Sequence, residues 1–287
     1  MIAVLKHELK TYFHSLATYV FGALLLAFVG IGSVLYNIQA AVSNFEFVLS
    51  FGSLIFVIIV PILTMRVLAE ERKQKTDQLL YSLPITASQV ILGKYIALLL
   101  IYLIPLSLIC FYPLIFSRFG EVYLLTAYGS ILAFFVMGSA LISIGVFISS
   151  LTENQGFAAG IGIAIILFNY YSVRLSEYVS STAIGSVIAM LLLILVLGTI
   201  IRYLTKNNYL AYGVSGLLGA GILIVYLVDS TKLEGLLPAI MRKLSLFERF
   251  NAFVNGVFDM TAIVYYLTVI VFFLFLSVQS LEKRRYN

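Results

Sequence analysis

YLLTAYGSILAFFVMGSALISIGVFIS, residues 123–149, carries no charged side chain from end to end. A helix rises about 1.5 Å per residue, so a run of this length crosses the ~30 Å hydrocarbon core of a bilayer with residues to spare. In water that surface would need cover on every side. In lipid it needs only a satisfied backbone, which a helix provides internally. This stretch decides for an all-α polytopic membrane protein, and the rest of the chain repeats it.

Seven further runs read as spans, near 16–37, 47–66, 89–116, 156–173, 183–203, 209–228 and 262–281. The expectation is one transmembrane domain over residues 1–287 with about eight transmembrane helices. Composition agrees: 62% of residues are hydrophobic, 11% are charged and the mean hydropathy is +1.06. A soluble domain carries about 25% charged residues. The net charge is +5, but the basic residues form no stripe for nucleic acid and gather at the ends of apolar runs. With the N-terminus inside, twelve of the eighteen Lys and Arg fall on the cytoplasmic side, among them Lys6, Lys10, Arg72, Lys73, Lys75, Lys94 and Lys283. The positive-inside rule then places both termini in the cytoplasm of a multi-pass cell-membrane protein, as an even number of spans requires. The run 89–116 holds Pro105 and Pro113, where it tilts or breaks. Cys110 is the single cysteine, so no intrachain disulfide forms.

Three connecting segments carry more information. Residues 1–15 read as an interfacial amphipathic helix, with Ile2, Leu5, Leu9 and Phe13 in register and Lys6, His7 and Lys10 on other faces; the other reading is a cytosolic extension of the first span. Residues 67–88, VLAEERKQKTDQLLYSLPITAS, form the most charged part of the chain. The polar half, Glu70 to Gln78, leads into Leu79, Leu80 and Leu83, and Pro84 stops the helix. Thr86 and Gln89 have capping-box spacing, which opens the next span; Thr152 and Gln155 repeat it before the span at 156. A short helix along the cytoplasmic surface is therefore expected between two spans. Residues 229–261 hold helical spacing at Leu237, Met241, Leu244, Phe247, Phe250 and Val254, with Gly256 as a stop. Arg242, Lys243, Glu248 and Arg249 make this stretch too polar to span, so an external interfacial or re-entrant helix pair fits it, with a small extracytoplasmic cap as the other reading.

The chemistry of catalysis is missing from the sequence. The only histidines are His7 and His14, so there is no HExxH metal site and no evident base for a nucleophile. Gly93-Lys94 lacks the upstream glycine of a phosphate loop. No charged residue falls near the centre of an expected span, which argues against an ion-coupled carrier. Small residues favour close helix packing at Gly156, Gly160 and Gly162, and again at Gly213, Gly216, Gly219 and Gly221.

The stretch EERKQKTDQLLYSLPITASQVILGKYIALLL, residues 70–100, resembles the signature of ABC-2 type permeases, the membrane subunits of ABC exporters, including gliding-motility and nitrous-oxide-maturation types. That signature has an acidic pair, a Gly-Thr-Glu-like step, a Leu-Leu pair, a proline and then GKY. Here these are Glu70-Glu71, Lys75-Thr76-Asp77, Leu79-Leu80, Pro84 and Gly93-Lys94-Tyr95. Lys75 stands where glycine is usual and Asp77 where glutamate is usual. SSLTENQ, residues 149–155, resembles the second cytoplasmic turn of the family, and residues 244–267 resemble its external helix and last span. The helix pair 183–228 is extra to the six-span pattern.

The resemblance implies a permease subunit of an ATP-driven exporter that forms the translocation path. Its ATPase-coupling interface would comprise Glu70, Glu71, Arg72, Thr76, Asp77, Leu79, Leu80 and Pro84, with Glu153 from the second turn. ATP and Mg would sit on a separate ABC ATPase subunit, with no cofactor or metal in this chain. A second permease copy, identical or a paralogue, would complete the path. The competing reading is a membrane scaffold or assembly factor that docks a soluble partner on the same charged helix without transport.

Overall fold

The computed structural model describes residues 1–75, 85–178, 182–205 and 208–285, and every regular element among them is helical. The chain opens with α1 (Ile2–Phe13), α2 (Leu16–Gly32), whose last turns widen into a π-helix over Ser33–Gln39, then α3 (Phe45–Ser53), α4 (Phe56–Thr64) and the short α5 (Ala69–Lys73). It continues with α6 (Ala87–Ile109), α7 (Phe111–Phe116), α8 (Leu124–Leu151), α9 (Gln155–Tyr178), α10 (Ala183–Thr205) and α11 (Asn208–Val228). The last elements are α12 (Leu236–Leu244), α13 (Leu246–Val254) and α14 (Met260–Arg285). Two compact units result: Met1–Tyr170 with Arg249–Asn287, and Tyr171–Glu248.

Among the described residues five helices are long and apolar enough to cross a membrane: Leu16–Gln39, Ala87–Phe116, Leu124–Leu151, Gln155–Tyr178 and Met260–Lys283. The broken pair α3–α4, bent by 55°, makes a sixth if counted as one span. The protein is thus an all-α polytopic membrane protein, with five or six such spans against the eight expected. The expected pair at 183–228 does form helices, α10 and α11. Their described apolar stretches, Ala183–Leu195 and Ser215–Val228, are shorter than a full crossing.

The expected span at 47–66 is broken at Leu54 and Ile55. Pro61 lies inside α4, and its ring crowds the carbonyl four residues earlier, at Val57. Just before that point the ladder tightens, with the N–H groups of Leu54, Ile55 and Val57 donating three residues back. Pro105 leaves α6 continuous as far as Ile109, and the seam falls at Cys110, whose carbonyl accepts the Tyr128 hydroxyl at 3.1 Å.

Helix α8 forms the centre of the first unit, with α3, α4, α6 and α14 packed around it. Two glycines seven residues apart permit the closest approaches. A Cβ on Gly145 would stand 2.8 Å from the Cβ of Thr64 on α4, and one on Gly138 would stand 2.7 Å from the ring of Tyr102 on α6. Of the glycines singled out at 156, 160 and 162, Gly162 makes a close approach, where a Cβ would stand 3.0 Å from that of Pro61 on α4; among the described residues Gly160 has nothing within 4 Å and Gly156 only its neighbour Asn154. Tyr95 and Tyr102, two turns apart on α6, donate to the Ser139 and Phe134 carbonyls of α8 at 3.0 and 2.9 Å. Buried phenols thereby bond helix to helix in a layer where water cannot. Phe56, Tyr102, Phe134 and Phe250 continue that contact as a chain of rings with centroids 4.7–6.0 Å apart.

The 229–261 segment contains the expected pair, α12 and α13, separated at Ser245. In the first unit, Phe250 and Phe253 of α13 are buried, and the Phe253 carbonyl accepts the Ser130 hydroxyl at 3.1 Å. Gly256, at φ +77°, ends that excursion as expected. Asp259 then caps α14 by accepting the Thr261 N–H at 2.8 Å, and that bond holds its carboxyl below the usual range.

Candidate functional site

The charged connector leaves α4 through a turn held from outside. Leu68, the N-cap residue of α5, offers no side-chain oxygen to the free N–H groups of the helix. The hydroxyl of Ser149, at the end of α8, supplies it. It accepts the Leu68 and Ala69 N–H groups at 3.1 and 3.2 Å and donates to the Met65 carbonyl at 3.2 Å. Ser149 is fully buried, so one hydroxyl with all its bonds made fixes the turn 65–69 to the central helix. Ser150 is tied in turn to α14, its carbonyl accepting the Ser280 hydroxyl at 3.0 Å.

Glu70 and Glu71 diverge. Glu70 forms a two-point pair with Arg66 at 2.7 and 3.0 Å, and Arg66 reaches Ser15 between α1 and α2 at 3.4 Å. Glu71 instead turns to Lys94 in the second turn of α6, at 2.7 Å from its ammonium. The same ammonium holds Glu8 of α1 at 2.6 Å. Lys94 is 1% exposed, so its charge is out of water and depends on these two carboxylates. Beside them, burial and then the Glu8 and Glu71 carboxylates push the Tyr12 phenol well above its usual range.

Three consecutive residues of the GKY step thus face three partners. A Cβ at Gly93 would stand 3.1 Å from Val4, which lets α1 lie close on α6; Lys94 binds Glu8 and Glu71; Tyr95 bonds α8. The arrangement joins α1, α5, α6 and α8 at one end of the bundle. Its chemistry is electrostatic locking.

Of the residues expected at the coupling interface, Thr76, Asp77, Leu79, Leu80 and Pro84 lie outside the described residues, as does the stop at Pro84. Arg72 is buried and Glu153 is exposed in the turn between α8 and α9. The cap on Thr86 forms as expected, accepting the Gln89 N–H at 3.3 Å. The second capping box does not form. Helix α9 starts at Gln155, so the cap is Asn154, whose Oδ1 accepts Gly156 and Phe157 N–H at 2.9 and 3.2 Å. Lys75 takes a left-handed conformation, φ +57°, which explains why glycine suits that position.

Sequence reasoning placed Lys94 among flanking charges and passed over Glu8 and Ser149. A lysine two turns inside an apolar helix was the available signal for the first. Glu8 gave a weaker one, as an acid in the same helical stripe as Val4 and Tyr12. Ser149 gave none.

A bundle of apolar helices with a buried, charged junction at one end defines a polytopic membrane protein. The family model described as "ABC-2 family transporter protein" matches residues 29–173. The chain belongs to that family and is a permease component of an ABC transporter. No curated protein and no solved structure matches it. The matched residues begin in α2 and end within α9, so they include Glu70, Glu71 and Lys94 and stop short of α10 and α11.

Proposed function

We propose that the chain is the permease of an ATP-driven exporter. A separate ABC ATPase grips the 67–84 segment on the cytoplasmic side, where both termini lie, and a second permease copy completes the path. The observation that carries this reading is the Lys94 ammonium, bonded at once to Glu71 beside the charged segment and to Glu8 of α1. A pull on the segment reaches α6 and α1 through that one buried group, without a long flexible link between.

The test needs no knowledge of the cargo. The tagged protein is purified from its native membrane with whatever ATPase accompanies it, and hydrogen exchange is compared with and without ATP. The expected result is an ATP-dependent change at residues 67–75, 87–95 and 2–13 together. In Lys94→Met the change persists at 67–75 and disappears at 2–13. A retained soluble partner without ATPase activity would favour the scaffold reading. A response at 2–13 that survives Lys94→Met would place the transmission path elsewhere.

A further inference from the structure

Helix α1 has three faces where a simple amphipathic helix has two. At 100° per residue, Val4, Glu8 and Tyr12 share one stripe, Ile2, Leu9 and Phe13 a second, and Lys6, Lys10 and His14 a third. The first stripe is docked: Val4 lies against Gly93, Glu8 binds Lys94 and Tyr12 is buried. The second is apolar and open, with Ile2 66% and Phe13 45% exposed. The third is basic and open, and neither lysine has an ion-pair partner among the described residues. A helix turned to water does not gain from an exposed apolar stripe, and one sunk in hydrocarbon does not tolerate a basic one. Side by side, the two stripes match the boundary where acyl chains meet headgroups.

The position of α1 agrees. Only His14 and Ser15 separate it from α2, and the Tyr19 hydroxyl of α2 donates to the Phe13 carbonyl at 2.8 Å. The C-terminal end of α1 is thus held where a membrane span begins.

We propose that α1 is an anionic-lipid-binding helix, in which Lys6 and Lys10 take the phosphate of acidic headgroups while Ile2, Leu9 and Phe13 enter the acyl boundary. The charge complementarity selects acidic lipid over zwitterionic lipid, because each lysine at an anionic surface favours it about fivefold. Since Glu8 on the opposite face holds Lys94, the lipid that seats α1 also sets the position of the buried junction. This proposal rests on the membrane fold and stands whether or not the ATPase docks at 67–84.

The chain contains no tryptophan, so Phe13→Trp creates a single reporter on the open stripe. The full chain is reconstituted in nanodiscs of phosphatidylcholine with 30% phosphatidylglycerol, with bromine on one lipid or the other. Brominated phosphatidylglycerol is expected to quench beyond its mole fraction, with the ratio of phosphatidylglycerol to phosphatidylcholine beside the helix raised about fivefold over bulk. Lys6→Gln with Lys10→Gln, or 1 M salt, should return quenching to the bulk ratio. Quenching in proportion to composition in the parent protein would mean apolar seating without headgroup recognition and would overturn the proposal. No quenching by either lipid would put α1 against water or an acidic protein partner, which also overturns it. If Phe13→Trp does not fold, Ile2→Trp, on the same stripe, gives the same reading.

Discussion

Lys94 and Glu8 are 86 residues apart in sequence, yet the ammonium of one stands 2.6 Å from the carboxylate of the other in a site closed to solvent. Glu71 completes the group with a side chain 23% exposed, so the junction has one carboxylate shut in and one reaching toward water. Two acids against one base leave a net negative charge. Lys94 is the group common to both pairs, so its loss would leave two carboxylates without their counter-charge.

Removing the ammonium alone should therefore cost more than removing the whole group. Lys94→Met leaves two carboxylates facing each other, and breaking a buried pair in this way costs about 3–5 kcal/mol. Lys94→Met combined with Glu8→Gln and Glu71→Gln should recover most of the loss, since no orphan charge remains. Thermal unfolding of the detergent-purified proteins measures it. A single variant as stable as the parent would show that the junction contributes no stability.

Ser149→Ala should loosen the start of α5 without disturbing α8. It deprives the Leu68 and Ala69 N–H groups of their acceptor, at about 1–3 kcal/mol for a buried donor left unpaired. Faster amide exchange at 68 and 69, with unchanged protection at 130–145, is the expected pattern. Uniform loss of protection along α8 would mean that the serine holds the core itself.

The glycines should sort by what lies beside them. Gly145→Ala drives a methyl into Thr64 and should cost about 1–3 kcal/mol, with part of that recovered by adding Thr64→Ala. Gly160→Ala meets nothing within 4 Å among the described residues and should be neutral or stabilising by up to about 1 kcal/mol. Denaturation midpoints of the three variants decide. A Gly160→Ala protein weaker than Gly145→Ala would show that α9 packs on a second copy.

Lys75→Gly should stabilise the exit from α5. Its φ of +57° strains a residue with a Cβ by about 1–2 kcal/mol, and glycine adopts that conformation freely. Allowing for the greater freedom of glycine in the unfolded chain, a net gain of about 1 kcal/mol is expected in local exchange at 69–75. Slower opening confirms the strain, and faster opening means that the lysine side chain contributes more than its backbone costs.

The sequence by itself determined the class of the protein. Uncharged runs such as 123–149 are too long and too uniformly apolar for barrel strands, so in lipid they form helices, whose backbone groups bond within their own segment, and local rules gave the Thr86 cap and the stop at Gly256. Those are properties of neighbouring residues. Tertiary structure alone decided the rest. Gly156 and Gly160 have the spacing of a packing motif yet meet no other helix, while Gly138 and Gly145, seven apart, make the close approaches, since contact depends on which face another helix covers. Glu70 and Glu71 read as one acidic pair, but adjacent residues on a helix point about 100° apart, so one met Arg66 and the other met Lys94. That the buried lysine should be shared with Glu8, and the turn before α5 held by Ser149, follows from chain segments more than eighty residues apart being folded together. No local pattern records such a meeting.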